Sequence, residues 1–296
     1  MTLTPIVTEA LVRAGLDPEH VTDVARRALD EDLMGGVDVT SVATVPFDQE
    51  GVADIVVRKP GVVAGIPVAA AVFELTADDD LDVTMKMADG DDVGPGDVVL
   101  TATGLTRTLL TAERTALNLI CHLSGVATAT RRWVDAVAGT KARILDTRKT
   151  TPGLRVLEKY AVRCGGGSGF RMGLSDAAMV KDNHVIAAGG VVEAYRAVRL
   201  TFPDVPIEVE VDRVEQVEPV IEAGADLLLL DNMTTEQMRE CVRVANGRAR
   251  LEASGGLSID RAREVAETGV DYLSVGALTH SAPVLDMGFD LRPRGA

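Results

Sequence analysis

The amino-acid sequence predicts an α/β protein in which an incomplete, open α/β barrel (residues 117–280) follows a smaller N-terminal α+β domain (residues 1–116). Two observations carry this prediction. From about residue 140, short apolar segments alternate with helical segments, as they do where parallel strands are buried on both faces. Each apolar segment also ends in a charged or glycine-rich group. A doubly wound sheet gathers its ligand groups at one switch point, whereas a barrel uses all of its strand ends, so we favour the barrel.

The N-terminal region combines helical and strand-like segments. Val21–Leu33 has helical periodicity with acidic residues on one side. Asp54–Lys59 and Gly61–Ala64 have the composition of strands, and Val68–Leu75 has that of a helix. We expect these segments to form one small α+β domain, against which the C-terminal tail, residues 281–296, packs.

The barrel region contains six clear strand–helix units. Its strand-like cores are Arg143–Asp146, Ala178–Lys181, Ile207–Val211, Asp226–Leu230, Arg250–Ala253 and Tyr272–Val275. The helical segments between them are Leu154–Val162, Val191–Leu200, Val214–Ala223, Thr235–Ala245 and Ile259–Thr268. A complete barrel has about eight units, so a seventh unit is considered within Glu113–Val137.

Composition excludes several classes of function. The 296 residues carry a net charge of −15, whereas surfaces that bind nucleic acid or anionic membranes need a basic footprint. The three cysteines form no CxxC pair, which argues against a disulfide framework or a zinc site. No basic segment followed by an apolar run opens the sequence, and the longest apolar stretch, Gly61–Phe73, is interrupted by Gly65 and Pro67. We therefore expect a cytoplasmic protein.

Positive charge is concentrated between residues 141 and 181. This segment holds nine basic and three acidic residues, a local net charge of +6 within an acidic protein. Such an island focuses the electric field on a small anion. Solvated helix faces account for part of this charge, but they explain the basic residues at strand ends less well.

Cations follow the first two predicted strands of the barrel. Arg148 and Lys149 come after the first strand, and Lys181 ends the second. Adjacent cations repel each other unless they face an anion, and a guanidinium fits carboxylate or phosphate with two parallel hydrogen bonds. We expect an anion site, with a salt bridge to Asp146 as the alternative for the first pair. For Lys181, a Schiff-base role as in aldolases stays open.

A glycine-rich segment, Gly165–Arg171, separates these two strands. It is either a flexible connection or a loop that folds Arg171 over the ligand.

Carboxylates end the next two strands, at Glu210 and Asp231. Two carboxylates that face one cavity can hold Mg²⁺, directly or through water, beside phosphate groups. They can also stabilise a cationic transition state. Salt bridges to Lys149 or Lys181 are compatible with both roles.

Glycine-rich loops follow the last two strands, with Ser254, Gly255 and Gly256 in the first and Gly276 in the second. Glycine lets backbone N–H groups approach an oxyanion, and barrels often bind phosphate at this pair of loops. Ordinary tight turns are the alternative.

Ten motifs, spread over nearly the whole chain, resemble one enzyme family in order and spacing. They are Asp38–Ser41, Glu113–Asn118, His122–Gly125, Asp146–Arg155, Glu158–Ala161, Lys181–His184, Glu208–Asp212, Leu230–Asn232, Glu252–Gly256 and Val275–His280. The family is quinolinate phosphoribosyltransferase, also called nicotinate-nucleotide pyrophosphorylase (carboxylating). The runs Asp146–Arg155 and Lys181–His184 are the most specific to it.

The resemblance implies a pentosyltransferase of NAD biosynthesis. Such an enzyme transfers phosphoribose from phosphoribosyl pyrophosphate to the ring nitrogen of quinolinate. Pyrophosphate and CO₂ leave, and nicotinate mononucleotide results. The resemblance also implies a homodimer or larger homo-oligomer, whose active site lies between the barrel of one subunit and the N-terminal domain of another.

The resemblance assigns the cations to the two substrates. Arg148, Arg171 and Lys181 would bind the two carboxylates of quinolinate, and Arg114 would reach in from the partner subunit. Lys149 would meet the pyrophosphate or ribose side.

The resemblance assigns the remaining groups to Mg²⁺, ribose and phosphate. Glu210 and Asp231 would hold Mg²⁺ and the ribose hydroxyls, and with Lys149 and Lys181 they make up the expected catalytic set. The residues expected to bind the 5-phosphate are Ser254, Gly255, Gly256 and Gly276.

One position departs from the family pattern. The family has Asn-His before Arg171, where this chain has Gly169-Phe170. The family's histidine helps to bind a substrate carboxylate, and phenylalanine cannot donate that hydrogen bond. The alternatives are therefore a phosphoribosyltransferase for a related pyridine carboxylate and a non-catalytic anion-binding paralogue.

Overall fold

The computed structural model describes residues 2–77 and 81–295. The chain divides into two compact units. The first comprises residues 1–129, 151–166 and 281–296, and the second comprises residues 130–150 and 167–280. The division thus falls at residue 129 rather than at the expected residue 116, and the segment 151–166 belongs to the first unit.

The first unit contains helices and short strands in mixed order. Its helices are α1 (Pro5–Arg13), α2 (Pro18–Leu33), α3 (Val39–Thr44), α4 (Ile66–Thr76), most of α5 (Thr106–Ala136) and α6 (Arg155–Cys164). Its first strands are β1 (Glu50–Val57), β2 (Gly61–Val62), β3 (Asp82–Met85), β4 (Asp92–Val93) and β5 (Val98–Leu105).

The second unit alternates strands and helices. Its strands are β6 (Arg143–Leu145), β7 (Ala178–Val180), β8 (Ile207–Val211), β9 (Leu227–Asp231), β10 (Arg250–Ser254) and β11 (Tyr272–Ser274). Its helices are α7 (Asp182–Ala188), α8 (Val191–Thr201), α9 (Val217–Glu222), α10 (Thr235–Ala245), α11 (Ile259–Ala266) and α12 (Ala277–His280), with a 3₁₀ turn at Val214–Gln216. The chain then returns to the first unit as β12 (Met287–Pro293).

An antiparallel sheet organises the first unit, with the strand order β12-β1-β5-β3. The C-terminal strand lies at one edge, where Val57 pairs with Met287 and Gly51 pairs with Pro293. Helix α4 is buried from Ile66 to Phe73, so it is the apolar centre of this unit. This arrangement agrees with the α+β character that the sequence predicts.

The described residues of the second unit contain a six-stranded parallel sheet with the order β6-β11-β10-β9-β8-β7. Four successive leucines of β9, from Leu227 to Leu230, are buried. Side chains on both faces of β9 are therefore buried, as expected for a strand with protein on both sides of the sheet. The open α/β barrel with a smaller N-terminal domain is confirmed.

The region where a seventh barrel strand was considered forms part of α5 instead. This helix has 31 residues, and its fully buried side chains recur at intervals of three or four. That spacing is the signature of a helix with one apolar face. The fully buried positions include Leu109, Ala112, Ala116, Ile120 and Leu123. The prediction of a seventh strand–helix unit within Glu113–Val137 is therefore wrong.

Across the described ranges, 2–77 and 81–295, no helix is long and apolar enough to cross a membrane.

Candidate active site

A cavity of about 290 Å³ opens in the second unit, at the carboxyl ends of its strands. Five residues predicted for the site line it: Arg148, Lys149, Arg171, Lys181 and Ser254. They come from four different segments, which the parallel strands bring to one edge of the sheet. The cationic site expected from the sequence is therefore assembled by the fold.

Arg148 brings a buried donor, unpaired among the described residues, to this cavity. Its Nε is buried, and no acceptor for it lies within the described part of the chain. A buried, charged donor without a partner is costly unless a ligand pairs with it. Planar anions such as carboxylates suit a guanidinium best.

Arg171 is placed by a short backbone pairing on the free side of β6. Ser168 bridges Leu145, and the Asp146 N–H donates to the Ser168 carbonyl at 2.9 Å. The Arg171 guanidinium then donates to the Ala177 carbonyl at 3.5 Å. Burial, followed by the positive charge of Arg148, lowers the pKa of Arg171. The two guanidinium groups thus repel each other, and the charges of Glu208 and Asp176 offset part of that repulsion.

Lys181 follows β7 and is the N-cap of α7. Its Nζ lies 2.9 Å from Glu210 Oε2, and its side chain is 46% exposed. The salt bridge considered from the sequence is therefore present. A Schiff-base lysine needs desolvation to lower its pKa, so this half-exposed, ion-paired side chain argues against the aldolase alternative.

Apolar side chains form another part of the cavity wall, from Phe170, Met179 and Leu229. Phe170 therefore lines the same cavity as the predicted cations, at a position where the family pattern has histidine. Its neighbour Gly169 is closely confined, because a Cβ there would lie 2.9 Å from Asp146 Oδ2. A larger residue at position 169 thus requires Asp146 to move.

Two buried glutamates, Glu208 and Glu252, also line the cavity. Neither of them was selected as a site residue from the sequence. Neither carboxylate oxygen of Glu208 meets a hydrogen-bond donor among the residues described. Burial, followed by the charge of Glu252, raises the pKa of Glu208. Burial also raises the pKa of Glu252. The signal was available, because Glu208 and Glu210 are two residues apart on a strand and so share a face.

The raised pKa of Glu208 makes stability depend on pH. A carboxyl whose pKa is raised on folding costs no stability below its unfolded pKa, and the cost grows as the pH rises towards the folded pKa. We therefore expect the free energy of unfolding of the wild type to fall relative to Glu208→Gln between about pH 5 and pH 8. Denaturant titrations of both proteins across this range would measure it.

The control for this measurement is Glu222→Gln, because Glu222 is exposed. The difference in unfolding free energy from the wild type should change more with pH for Glu208→Gln than for this exposed substitution. Parallel curves for the wild type and Glu208→Gln would contradict the expectation.

Glu210 and Asp231 lie on the same sheet face as the cavity wall. Leu229 pairs with Glu210 on one side and with Glu252 on the other, and Asp231 is two residues beyond Leu229. Both predicted metal ligands thus face the cavity side, although neither is part of its immediate lining. Asp231 also accepts a hydrogen bond from Asn232 Nδ2 at 2.8 Å.

The predicted phosphate loops also lie at this edge. Gly255 and Gly256 have φ angles of +91° and +56°, a conformation that favours glycine. A Cβ on Gly255 would lie 2.3 Å from Asn232 Oδ1, so space also demands glycine there. A Cβ on Gly276 would lie 2.8 Å from Lys149 Cδ, which places that loop beside the cationic wall.

Arg114 is the one predicted cation that this cavity does not include. It lies on α5 in the first unit, where its exposed side chain is 3.9 Å from Glu113.

Comparison with known proteins gives the family. Residues 38–124 match the model of the quinolinate phosphoribosyl transferase N-terminal domain, and residues 126–290 match that of the C-terminal domain. A nicotinate-nucleotide pyrophosphorylase [carboxylating] of Mycobacterium leprae is 52% identical over 91% of this chain and 96% of its own length. A probable enzyme of the same name from Bacillus subtilis is 40% identical over 88% of this chain and 90% of its own length.

Solved structures agree with the sequence relatives. A crystal structure of NadC from Streptococcus pyogenes has a TM-score of 0.90 and 39% identity, covering 94% of this chain and 98% of its own. The nicotinate-nucleotide pyrophosphorylase of Francisella tularensis has a TM-score of 0.88 and 36% identity, covering 93% and 96%. Both family domains are thus present in sequence and in fold, and the chain belongs to the quinolinate phosphoribosyltransferase family.

Proposed function

We infer that this chain transfers the phosphoribosyl group of phosphoribosyl pyrophosphate to quinolinate, with decarboxylation, and so forms nicotinate mononucleotide for NAD biosynthesis. The observation that carries the inference is the cavity with four cationic side chains, in which the buried Nε of Arg148 has no acceptor among the described residues. Quinolinate supplies two adjacent carboxylates on a flat ring. The curated relatives support this function over the two alternatives based on Phe170.

Arg148, Arg171 and Lys181 would hold the two carboxylates and so fix the ring beside the apolar surface of Phe170. The ring nitrogen then attacks carbon 1 of the ribose, the bond to pyrophosphate breaks, and a nitrogen–carbon bond forms. Positioning of this kind contributes about 7–11 kcal/mol in well-oriented systems. Fixed charges around the oxocarbenium-like carbon stabilise the transition state further.

Decarboxylation follows from the charge of the product ring. The ribosylated nitrogen is cationic, so it accepts the electron pair that the breaking bond to the carboxylate at carbon 2 leaves behind. CO₂ departs and a proton takes its place. The side chains of this cavity orient the ring for that step. The decarboxylation itself needs no organic cofactor, because the ring nitrogen accepts the electrons.

We propose that Mg²⁺ would be held by the carboxylates on the cavity face, Glu210 and Asp231. Within the described residues no group of three or more acidic, histidine or cysteine side chains could enclose a metal ion. Mg²⁺ typically binds through one or two carboxylates, several waters and substrate phosphates. Glu210 and Asp231 would hold it together with the pyrophosphate, whose negative charge it would offset.

The direct test is incubation with quinolinate, phosphoribosyl pyrophosphate and Mg²⁺, with nicotinate mononucleotide and CO₂ both measured. We expect equal amounts of both products, loss of activity when the metal is chelated, and recovery when Mg²⁺ is added back. A panel of other pyridine carboxylates tests the first alternative. Tight quinolinate binding without turnover would favour the non-catalytic one.

We also propose a homodimer, or a larger homo-oligomer, in which Arg114 of one subunit completes the site of another. Arg114→Ala and Lys181→Met should each be nearly inactive alone. Mixing them should restore activity, because one site of a mixed dimer then keeps both cations. Absence of recovery in subunits shown to exchange would contradict a shared site. The predicted cytoplasmic location stays a prediction.

A further inference from the structure

The loops that carry Lys149 and Gly276 leave the sheet side by side. Their strands, β6 and β11, are neighbours in which Leu145 pairs with Ser274. One residue further, the Val275 N–H donates to the Leu145 carbonyl at 3.0 Å. The first strand of the barrel and the last one therefore present adjoining loops at the cavity edge.

Lys149 passes directly over the Gly276 loop. A Cβ on Gly276 would lie 2.8 Å from Lys149 Cδ and 3.3 Å from His280 Nε2. Gly276 is not among the glycines with a positive φ angle, so the close approach of Lys149 and His280, not backbone conformation, is what disfavours a side chain there. The Lys149 side chain thus runs from its own loop to the predicted phosphate loop.

A buried threonine hydroxyl fixes the main chain of Lys149. Thr279 is 2% exposed, and its Oγ1 lies 2.8 Å from the Lys149 carbonyl and 3.2 Å from the Gly276 carbonyl. A hydroxyl has one hydrogen to donate, and the shorter distance is the one to Lys149. Helical threonines usually bond a carbonyl three or four residues earlier, which here is Gly276. This hydroxyl instead reaches a loop 130 residues away in sequence.

A second threonine holds the other backbone group of the same residue. The Lys149 N–H donates to Thr147 Oγ1 at 3.0 Å. Lys149 is therefore tied at both its N–H and its carbonyl, although the residue itself is exposed. These two backbone hydrogen bonds restrain the main chain of Lys149, and they therefore limit the positions that its flexible, exposed ammonium group can reach.

We propose that Thr279 is a positioning residue, which holds Lys149 over the Gly276 loop and so places the lysine ammonium against the phosphate groups of phosphoribosyl pyrophosphate. The identity of that ligand rests on the proposed function. The position of Lys149 does not rest on it.

The test compares Thr279→Val with two variants. Thr279→Ser keeps the hydroxyl. Thr268→Val is the matched control, since Thr268 is 5% exposed and donates to the Val265 carbonyl at 2.7 Å, away from the cavity. We expect Thr279→Val to lower kcat/KM for phosphoribosyl pyrophosphate by about 10-fold to 100-fold, as small misplacements of binding groups do. Thr279→Ser should recover most of this, and Thr268→Val should resemble the wild type.

A merely structural role is separated by two further measurements. In a Lys149→Met background, Thr279→Val should have almost no additional effect on kcat/KM, because the residue through which it acts is gone. Hydrogen exchange of the peptide spanning residues 147–151 should be faster in Thr279→Val than in Thr268→Val. If Thr279→Val does not fold, Thr279→Ala removes the same hydroxyl with a smaller side chain.

The outcomes separate this proposal from the proposed function. A wild type without turnover refutes the function, while the exchange measurement still tests the position of Lys149. Equal losses in Thr279→Val and Thr268→Val would overturn the positioning role. So would an undiminished effect of Thr279→Val in the Lys149→Met background.

Discussion

Replacing Lys181 by methionine is expected to lower kcat/KM for quinolinate by roughly 30-fold to 5,000-fold, the equivalent of about 2–5 kcal/mol for truncating one member of a hydrogen-bonded charge pair. Two losses combine in this variant. The substrate loses a cation at the cavity wall, and Glu210 loses the ammonium 2.9 Å from its Oε2. Steady-state kinetics with quinolinate as the varied substrate measures the effect.

Lys141 offers a matched control for this variant. Its Nζ lies 2.7 Å from Asp271 Oδ1, in an ion pair of similar exposure that is not part of the cavity. Lys141→Met should leave kcat/KM within about two-fold of the wild type, since exposed ion pairs contribute about 0–1 kcal/mol. Equal losses in the two variants would show that Lys181 supports the fold rather than the substrate.

Replacing Phe170 by histidine is expected to lower KM for quinolinate by about one to two orders of magnitude. Phe170 lines the cavity beside Arg171. A hydrogen bond to a charged group contributes about 1.5–3 kcal/mol, and histidine supplies the donor that phenylalanine lacks. The comparison is made by measuring KM, and the dissociation constant of quinolinate, at one pH for both proteins.

The single substitution is a cleaner test than restoring the family's Asn-His pair. A side chain at position 169 would push on the Asp146 carboxylate and change a second part of the site. Phe202→His serves as the control, because Phe202 is 59% exposed and not part of the cavity. An unchanged KM in Phe170→His would mean that the cations alone set quinolinate affinity in this chain.

The sequence was most informative where a pattern repeats. Strand β8 occupies the predicted range Ile207–Val211, and β9 lies within one residue of its prediction. An apolar run bounded by polar residues defines where a strand begins and ends. The strand ends and the cations beside them were therefore predictable. Four of the five predicted residues that line the cavity follow from that regularity, and Arg171, in the glycine-rich segment between two strands, does not.

The sequence was least informative where the same residue type can be either solvent-exposed or buried in a functional contact. Glu208 and Glu252 were not selected because a glutamate within a strand is usually a solvated side chain, although the spacing of Glu208 and Glu210 indicated that these two share a face. Thr279 is equally unremarkable as one threonine of a short helix. Its partner lies 130 residues away, and no local pattern encodes such a distance.

Strands β11 and β12 complete the two larger sheets of the described residues, and this has a consequence for synthesis. Strand β6 takes its in-register neighbour from residues 272–274, and β1 takes one of its two from residues 287–293. Ribosomes add about 5–20 residues per second, and contacts of high sequence separation form slowly. Each unit therefore exposes an unpaired strand edge until residues 272–274 or 287–293 have been synthesised. Unpaired strand edges favour aggregation, so a nascent chain of this protein carries that risk until β12 has emerged and paired with β1.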